Sequence, residues 1–166
     1  QKGSVDPSCI LTFPDLLQAK LNSKDSQFGS QQDPVPLVVN SPRGKGIVLE
    51  RRYDVDQGEH KGRPVNHIVL GEAEKAVRVY MTNDGIVHWA ERPKQIAVDA
   101  PQCLMVDRGR LREGSKVLFY GLLEEGQGKE VQQFLLNDDG TLSSMHAPDL
   151  VWGWEPAAIR KARLTE

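Results

Sequence analysis

Val131-Gln-Gln-Phe-Leu-Leu-Asn-Asp-Asp-Gly-Thr-Leu142 is the stretch on which the fold turns. Apolar residues flank Asn137-Asp-Asp-Gly140 on both sides. Asp-Gly supplies the positive φ angles that tight hairpins need, so the stretch predicts two antiparallel strands and a short turn. Upstream, Val77-Arg-Val-Tyr-Met-Thr-Asn-Asp-Gly-Ile86 repeats the arrangement around Asn83-Asp-Gly85. The likeness extends outward. Gly62-Arg-Pro-Val-Asn-His-Ile-Val-Leu-Gly71 leads into the first turn as Gly114-Ser-Lys-Val-Leu-Phe-Tyr-Gly121 leads into the second. Beyond the turns, Ile86 to Asp99 passes through Pro93, and Thr141 to Gly153 passes through Pro148. The offset runs from 52 (Gly62 to Gly114) to 55 (Gly85 to Gly140). Self-similarity at a fixed spacing predicts an internally repeated architecture.

The surrounding chain carries the same texture. Short apolar runs broken by turn residues lie at 37–39, 47–49, 67–70, 77–80, 86–89, 95–98, 103–106, 116–120, 131–136, 141–142 and 150–154. Many short strands at such spacing predict an all-β sandwich or barrel. Residues 1–36 differ. Phe13, Leu16, Leu17 and Leu21 fall at near-helical spacing, and Pro14 suits a first helical turn, where a missing N–H costs nothing. Asn22 to Pro36 is rich in Ser, Gln, Asp and Pro and reads as a linker or long loop. The predicted division is an arm with a short helix over 1–36 and an all-β domain over 37–166.

Four motifs in order resemble a ricin-type β-trefoil repeat. Gln102-Cys-Leu-Met-Val-Asp-Arg-Gly109 resembles its opening strand, with Cys-Leu followed by an Asp. Gly114-Ser-Lys-Val-Leu-Phe-Tyr120 resembles its second strand, which ends in an aromatic. Gln132-Gln-Phe134 resembles Gln-x-Trp, and Asp139-Gly-Thr-Leu142 resembles Asp-Gly-Thr-Ile. The earlier copy matches more loosely, with Asp54 or Asp56 for the first-strand Asp and Val77-Arg-Val-Tyr80 for Gln-x-Trp. The resemblance implies a β-trefoil of imperfect repeats: two units are visible, with a partial third in the strands after Leu150 that Leu37 to Leu49 could complete. It also implies glycan binding in a shallow site without cofactor or metal. Asp107 would accept hydrogen bonds from sugar hydroxyls, Tyr120 would be the platform for the pyranose, and Gln132 would orient the loop. Val131 stands where the family places a sugar-contacting Asn.

Trp152 and Trp154 alternate around Gly153 and so point to one face of a strand. They read either as a stacking shelf for a sugar or partner, or as core. Trp89 reads as core. The histidines His60, His67, His88 and His146 lack metal-ligand spacing. Asp54, Asp56 and Glu59 lack the full ligand spacing of a calcium loop. No Gly-x-Ser-x-Gly elbow is present, and Arg43-Gly-Lys-Gly46 lacks the first glycine of a phosphate loop. These readings predict a non-enzyme.

Length and charge agree. At 166 residues the chain fits one domain. The net charge of −2 is interspersed, which gives no field for nucleic acid or anionic membrane. No apolar run approaches the roughly 20 residues of a membrane helix. The chain opens on Gln1, as a processed product or a fragment would, and a secreted or organelle-lumen location is the expectation. Cys9 and Cys103 read either as one bridge or as two buried thiols. Two functions follow: a lectin-like module for glycans, or a structural subunit docking on a protein partner.

Overall fold

The computed structural model describes residues 10–40, 46–54, 63–90, 103–106, 111–113, 115, 117–154 and 162–165; side chains are not described at 47–54, 63–67, 69, 154 and 162–165. Among the described residues the chain is all-β with one α-helix. The elements are α1 (Pro14–Leu21), β1 (Val35–Pro36), β2 (Gly46–Asp54), β3 (Arg63–Gly71), β4 (Arg78–Met81), β5 (Val87–Trp89), β6 (Cys103–Val106), β7 (Val117–Tyr120), β8 (Phe134–Leu136), β9 (Leu142–Ser144), β10 (Ala147–Trp154) and β11 (Ala162–Thr165). All pairings are antiparallel among the described strands. They form a five-stranded sheet β1-β4-β5-β6-β7, a four-stranded sheet β11-β10-β9-β8, and the hairpin β2-β3.

The two Asp-Gly turns fold as the sequence predicts. Gly85 and Gly140 sit at φ of 92° and 88°, where a side chain would strain the backbone. In each turn the glycine N–H donates three residues back, to Thr82 or Asn137, at 3.0 and 2.9 Å. In each, the preceding aspartate carboxylate accepts the backbone N–H two residues on, at Ile86 or Thr141. Registers coincide too: Val79↔Trp89, Tyr80↔His88 and Met81↔Val87 match Phe134↔Ser144, Leu135↔Ser143 and Leu136↔Leu142.

The same main-chain pattern extends to the N-terminal segment. Ala90 N–H donates to the Arg78 carbonyl and Met145 N–H to that of Gln133, at 2.9 and 3.0 Å. Asn40 N–H donates to the Thr12 carbonyl at 2.9 Å. The onward pairings correspond as well. His88↔Cys103 and Cys103↔Tyr120 parallel Ser143↔Val151 and Val151↔Thr165, and also Val38↔Gly46 and Gly46↔Gly71. The sets interlock. Phe134 N–H donates to the Gly85 carbonyl, and Phe13 N–H to the Gly140 carbonyl, both at 2.8 Å. Val35 pairs with Val79.

Residues 10–36 therefore differ from the predicted arm: they belong to the body. Leu11, Phe13, Leu16 and Phe28 are wholly buried in one cluster with Val79, Leu104, Leu142 and Trp152. Each such side chain contributes roughly 1.5–3 kcal/mol when removed from water. Pro14 opens α1, as its missing N–H predicts. The predicted stripe is narrower in fact: Leu16 is buried, whereas Leu21 is 80% exposed at the helix end. Lys20 Nζ ties the helix to the Leu136 carbonyl at 3.2 Å.

One further reading changes. Lys129–Gln132 is a 3₁₀ turn, so the strand predicted over 131–136 begins only at Phe134. The run predicted at 95–98 lies outside the described residues.

Candidate functional site

Tyr120 closes β7, opposite Cys103, and its side chain stays 48% exposed. Leu122, two residues on, is 42% exposed. The chain between them is pinned from below. Gln132 is wholly buried. Its Nε2 donates to the Gly121 carbonyl at 2.7 Å, and its Oε1 accepts the Leu123 N–H at 2.9 Å. Nε2 also lies 3.5 Å from Met105 Sδ. Gln132 thus holds the loop beside Tyr120 and presents nothing to solvent. Asp107, the third residue of this predicted site, lies outside the described residues.

Trp152 is wholly buried, its ring centroid 5.4 Å from that of Phe13. It is a core residue and offers no face to a ligand, because both hydrophobic rings fill the junction of α1 and β10. Trp154's side chain lies outside the described residues. The indole Nε1 of Trp152 and the Ser144 hydroxyl are buried with no hydrogen-bond partner among the described residues.

A second region was not visible in the sequence as a site. Tyr80 and His88 are cross-strand neighbours whose rings stack at 4.6 Å and 11°. Thr82 Oγ1 lies 3.1 Å from His88 Nε2 and also bonds the Asp84 carboxylate. Burial holds His88 below the usual histidine range, Asp84 pulls the other way, and Lys129 adds to the lowering. Burial likewise raises the Tyr80 hydroxyl. Above this outer face of β4, the end of α1 and the loop after it border an open cleft of about 530 Å³. Asn22, Asp25, Asp33, Tyr80 and Thr82 are among its lining residues. The polar composition of 22–36 signalled a loop; the aromatic that faces it comes from a strand far along the chain.

Cys103 is a free, buried thiol, pushed up to about 12 by burial, against an opposing effect of Lys129. A thiol so rarely ionised is a poor nucleophile. Cys9 lies outside the described residues. Among the described residues no group of three or more His, Cys, Asp or Glu is placed to hold a metal ion, and no helix is long and apolar enough to cross a membrane.

No protein-family model matches the chain, and neither a curated protein nor a solved structure matches it.

Proposed function

We propose that this chain is a non-catalytic carbohydrate-binding module on a β-trefoil scaffold. The trefoil reading is supported by main-chain bonds that recur around Thr12, Arg78 and Gln133. It is supported again by onward pairings that correspond in the same sets. The binding reading rests on the half-exposed Tyr120 ring beside a loop pinned by Gln132. An aromatic at a strand end beside a pre-ordered loop meets the apolar face of a sugar with little further ordering cost. Single-site affinity is weak in such a shallow site, and repetition of modules raises it.

Titration with galactose-type sugars, followed by NMR, tests this reading. Saturable shifts at 117–123 that vanish in Tyr120→Ala, with folding stability changed by no more than about 0.5 kcal/mol, are the expected result. No response to any sugar overturns it.

A second reading has its own observation. Val131 is 5% exposed where the resembling family has a sugar-contacting Asn. A buried aliphatic there fits a scaffold that has lost its sugar site and serves as a subunit of a larger assembly. A constant stoichiometric partner on purification from the native source is the outcome that this reading predicts.

A further inference from the structure

The loop that borders the 530 Å³ cleft is built, not draped. Phe28 anchors it: the ring is wholly buried, and its main chain exchanges bonds with Met81 at 3.3 and 2.9 Å. Inside the loop, Ser26 Oγ bonds Ser23 Oγ and the Gly29 carbonyl, both at 2.7 Å. Ser30 and Asp33 exchange main-chain bonds at 3.1 and 3.2 Å. The β4–β5 hairpin holds it from both ends. Asn83 Nδ2 donates to the Asp25 carbonyl at 3.3 Å, and Gln31 Nε2 to the Ala90 carbonyl at 2.8 Å. Long, internally packed surface loops of this kind are frequently functional.

The position is equally telling. Where the other two sets close with Thr82–Ile86 and Asn137–Thr141, the N-terminal set inserts α1 and this loop. The insertion creates the cleft. The cleft's volume lies within the roughly 300–1,000 Å³ that holds small molecules.

Its chemistry narrows the occupant. Lys24 is set against Asp25 and Asp33, so the lining carries no surplus of positive charge for a phosphate or sulfate. The hydroxyl of Tyr80 and the side chains of Asn22 and Asp33 make no protein hydrogen bond among the described residues. One face of the Tyr80 ring is covered by His88, so the ring presents its other face, its edge or its hydroxyl to the cleft. Amide, carboxylate and phenol around one aromatic suit a ring bearing many neutral hydroxyls.

We infer that the cleft between the 22–34 loop and the outer face of β4 binds a neutral saccharide of one or two rings. This is a site separate from Tyr120, and it rests on the carbohydrate reading above. Asn22 and Asp33 supply hydrogen bonds, and Tyr80 supplies the aromatic contact.

Amide NMR spectra of the chain titrated with lactose and with maltose, and with inorganic phosphate as the control, test it. Saturable shifts from either sugar at Asn22, Gly29, Tyr80 and Thr82, retained in Tyr120→Ala, are expected. Asn22→Ala and Asp33→Ala, both at exposed positions, weaken that response by about three- to tenfold each, as loss of one hydrogen bond does. Tyr80→Ala weakens it further, and the two exposed variants keep the test sound if that one fails to fold. Shifts confined to the Tyr120 loop overturn the cleft assignment and leave the carbohydrate reading standing. Equal shifts from phosphate overturn the cleft assignment too. No shift from either sugar anywhere overturns both.

Discussion

The β4–β5 and β8–β9 hairpins share a backbone and differ in what they carry. Their turn bonds, registers and glycine angles coincide. The residue three after the turn glycine is His88 in one and Ser143 in the other, and the residue facing it is Tyr80 or Leu135. Thr82 reaches His88, and Asn137 reaches Ser143. The repeat thus lives in the main chain and the inward side chains. The intervening positions diverge: Ser143 is wholly buried, whereas His88 is partly exposed and its partner Tyr80 lines the cleft beside the inserted loop.

The strongest challenge to that equivalence is to cut the interlocking side chains. The Phe134 N–H donates to the Gly85 carbonyl and the Phe13 N–H to the Gly140 carbonyl, and both rings are essentially buried. Phe134→Ala and Phe13→Ala each cost about 3–5 kcal/mol in denaturant unfolding. A much smaller cost for Phe13 would return residues 10–36 to the status of an arm.

The glycines sharpen the comparison. Alanine at either meets the same left-handed strain, roughly 1–2 kcal/mol. The surroundings then part. A Cβ at Gly85 falls 2.6 Å from Met145 Cε and 2.8 Å from the Phe134 carbonyl oxygen. At Gly140 the nearest atom, Leu17 Cδ1, is 3.4 Å away. Gly85→Ala therefore loses more than Gly140→Ala by about 1–3 kcal/mol, the usual cost of overpacking. Thermal unfolding of the two variants checks the order.

The smallest effect concerns pH. His88 is held below its unfolded value by burial, with Asp84 and Lys129 as the charged groups acting on it and Tyr80 stacked against it. The unfolded chain then binds the extra proton first, so stability falls as pH drops from about 6.5 through the lower folded value. His88→Ser, which copies the residue at 143, removes that part of the slope. Unfolding midpoints between pH 7 and 5 measure it; an unchanged slope would mean that the histidine is solvated.

Much of this was legible in the chain. The Asp-Gly turns were, because positive φ leaves few residue choices; so was the start of α1 at Pro14. The third set was legible only in part: the strands after Leu150, read as its beginning, belong to the second set, and Thr12 to Asn40 complete the third. Its strands are separated by α1 and the loop, so no turn motif links Thr12 to Asn40, and backbone pairing leaves no residue signature there. Leu21 sits at the right helical phase for burial yet lies beyond the body it would pack on. Of the predicted site, Tyr120 keeps its exposure, while Gln132 holds the loop from inside. The cleft was invisible because its lining joins a polar loop to a residue on β4.

The bonds from Leu11 to Trp152 and from Phe13 to Gly140 span most of the chain. Their partners leave the ribosome long after they do: at about 5–20 residues per second, the delay is roughly 6 to 30 seconds. Over that interval the Leu11 and Phe13 N–H groups lack the carbonyls that they meet in the fold. Closure must therefore be a late, entropically expensive event, and the nascent protein waits, with Phe13 uncovered, for its far end to arrive.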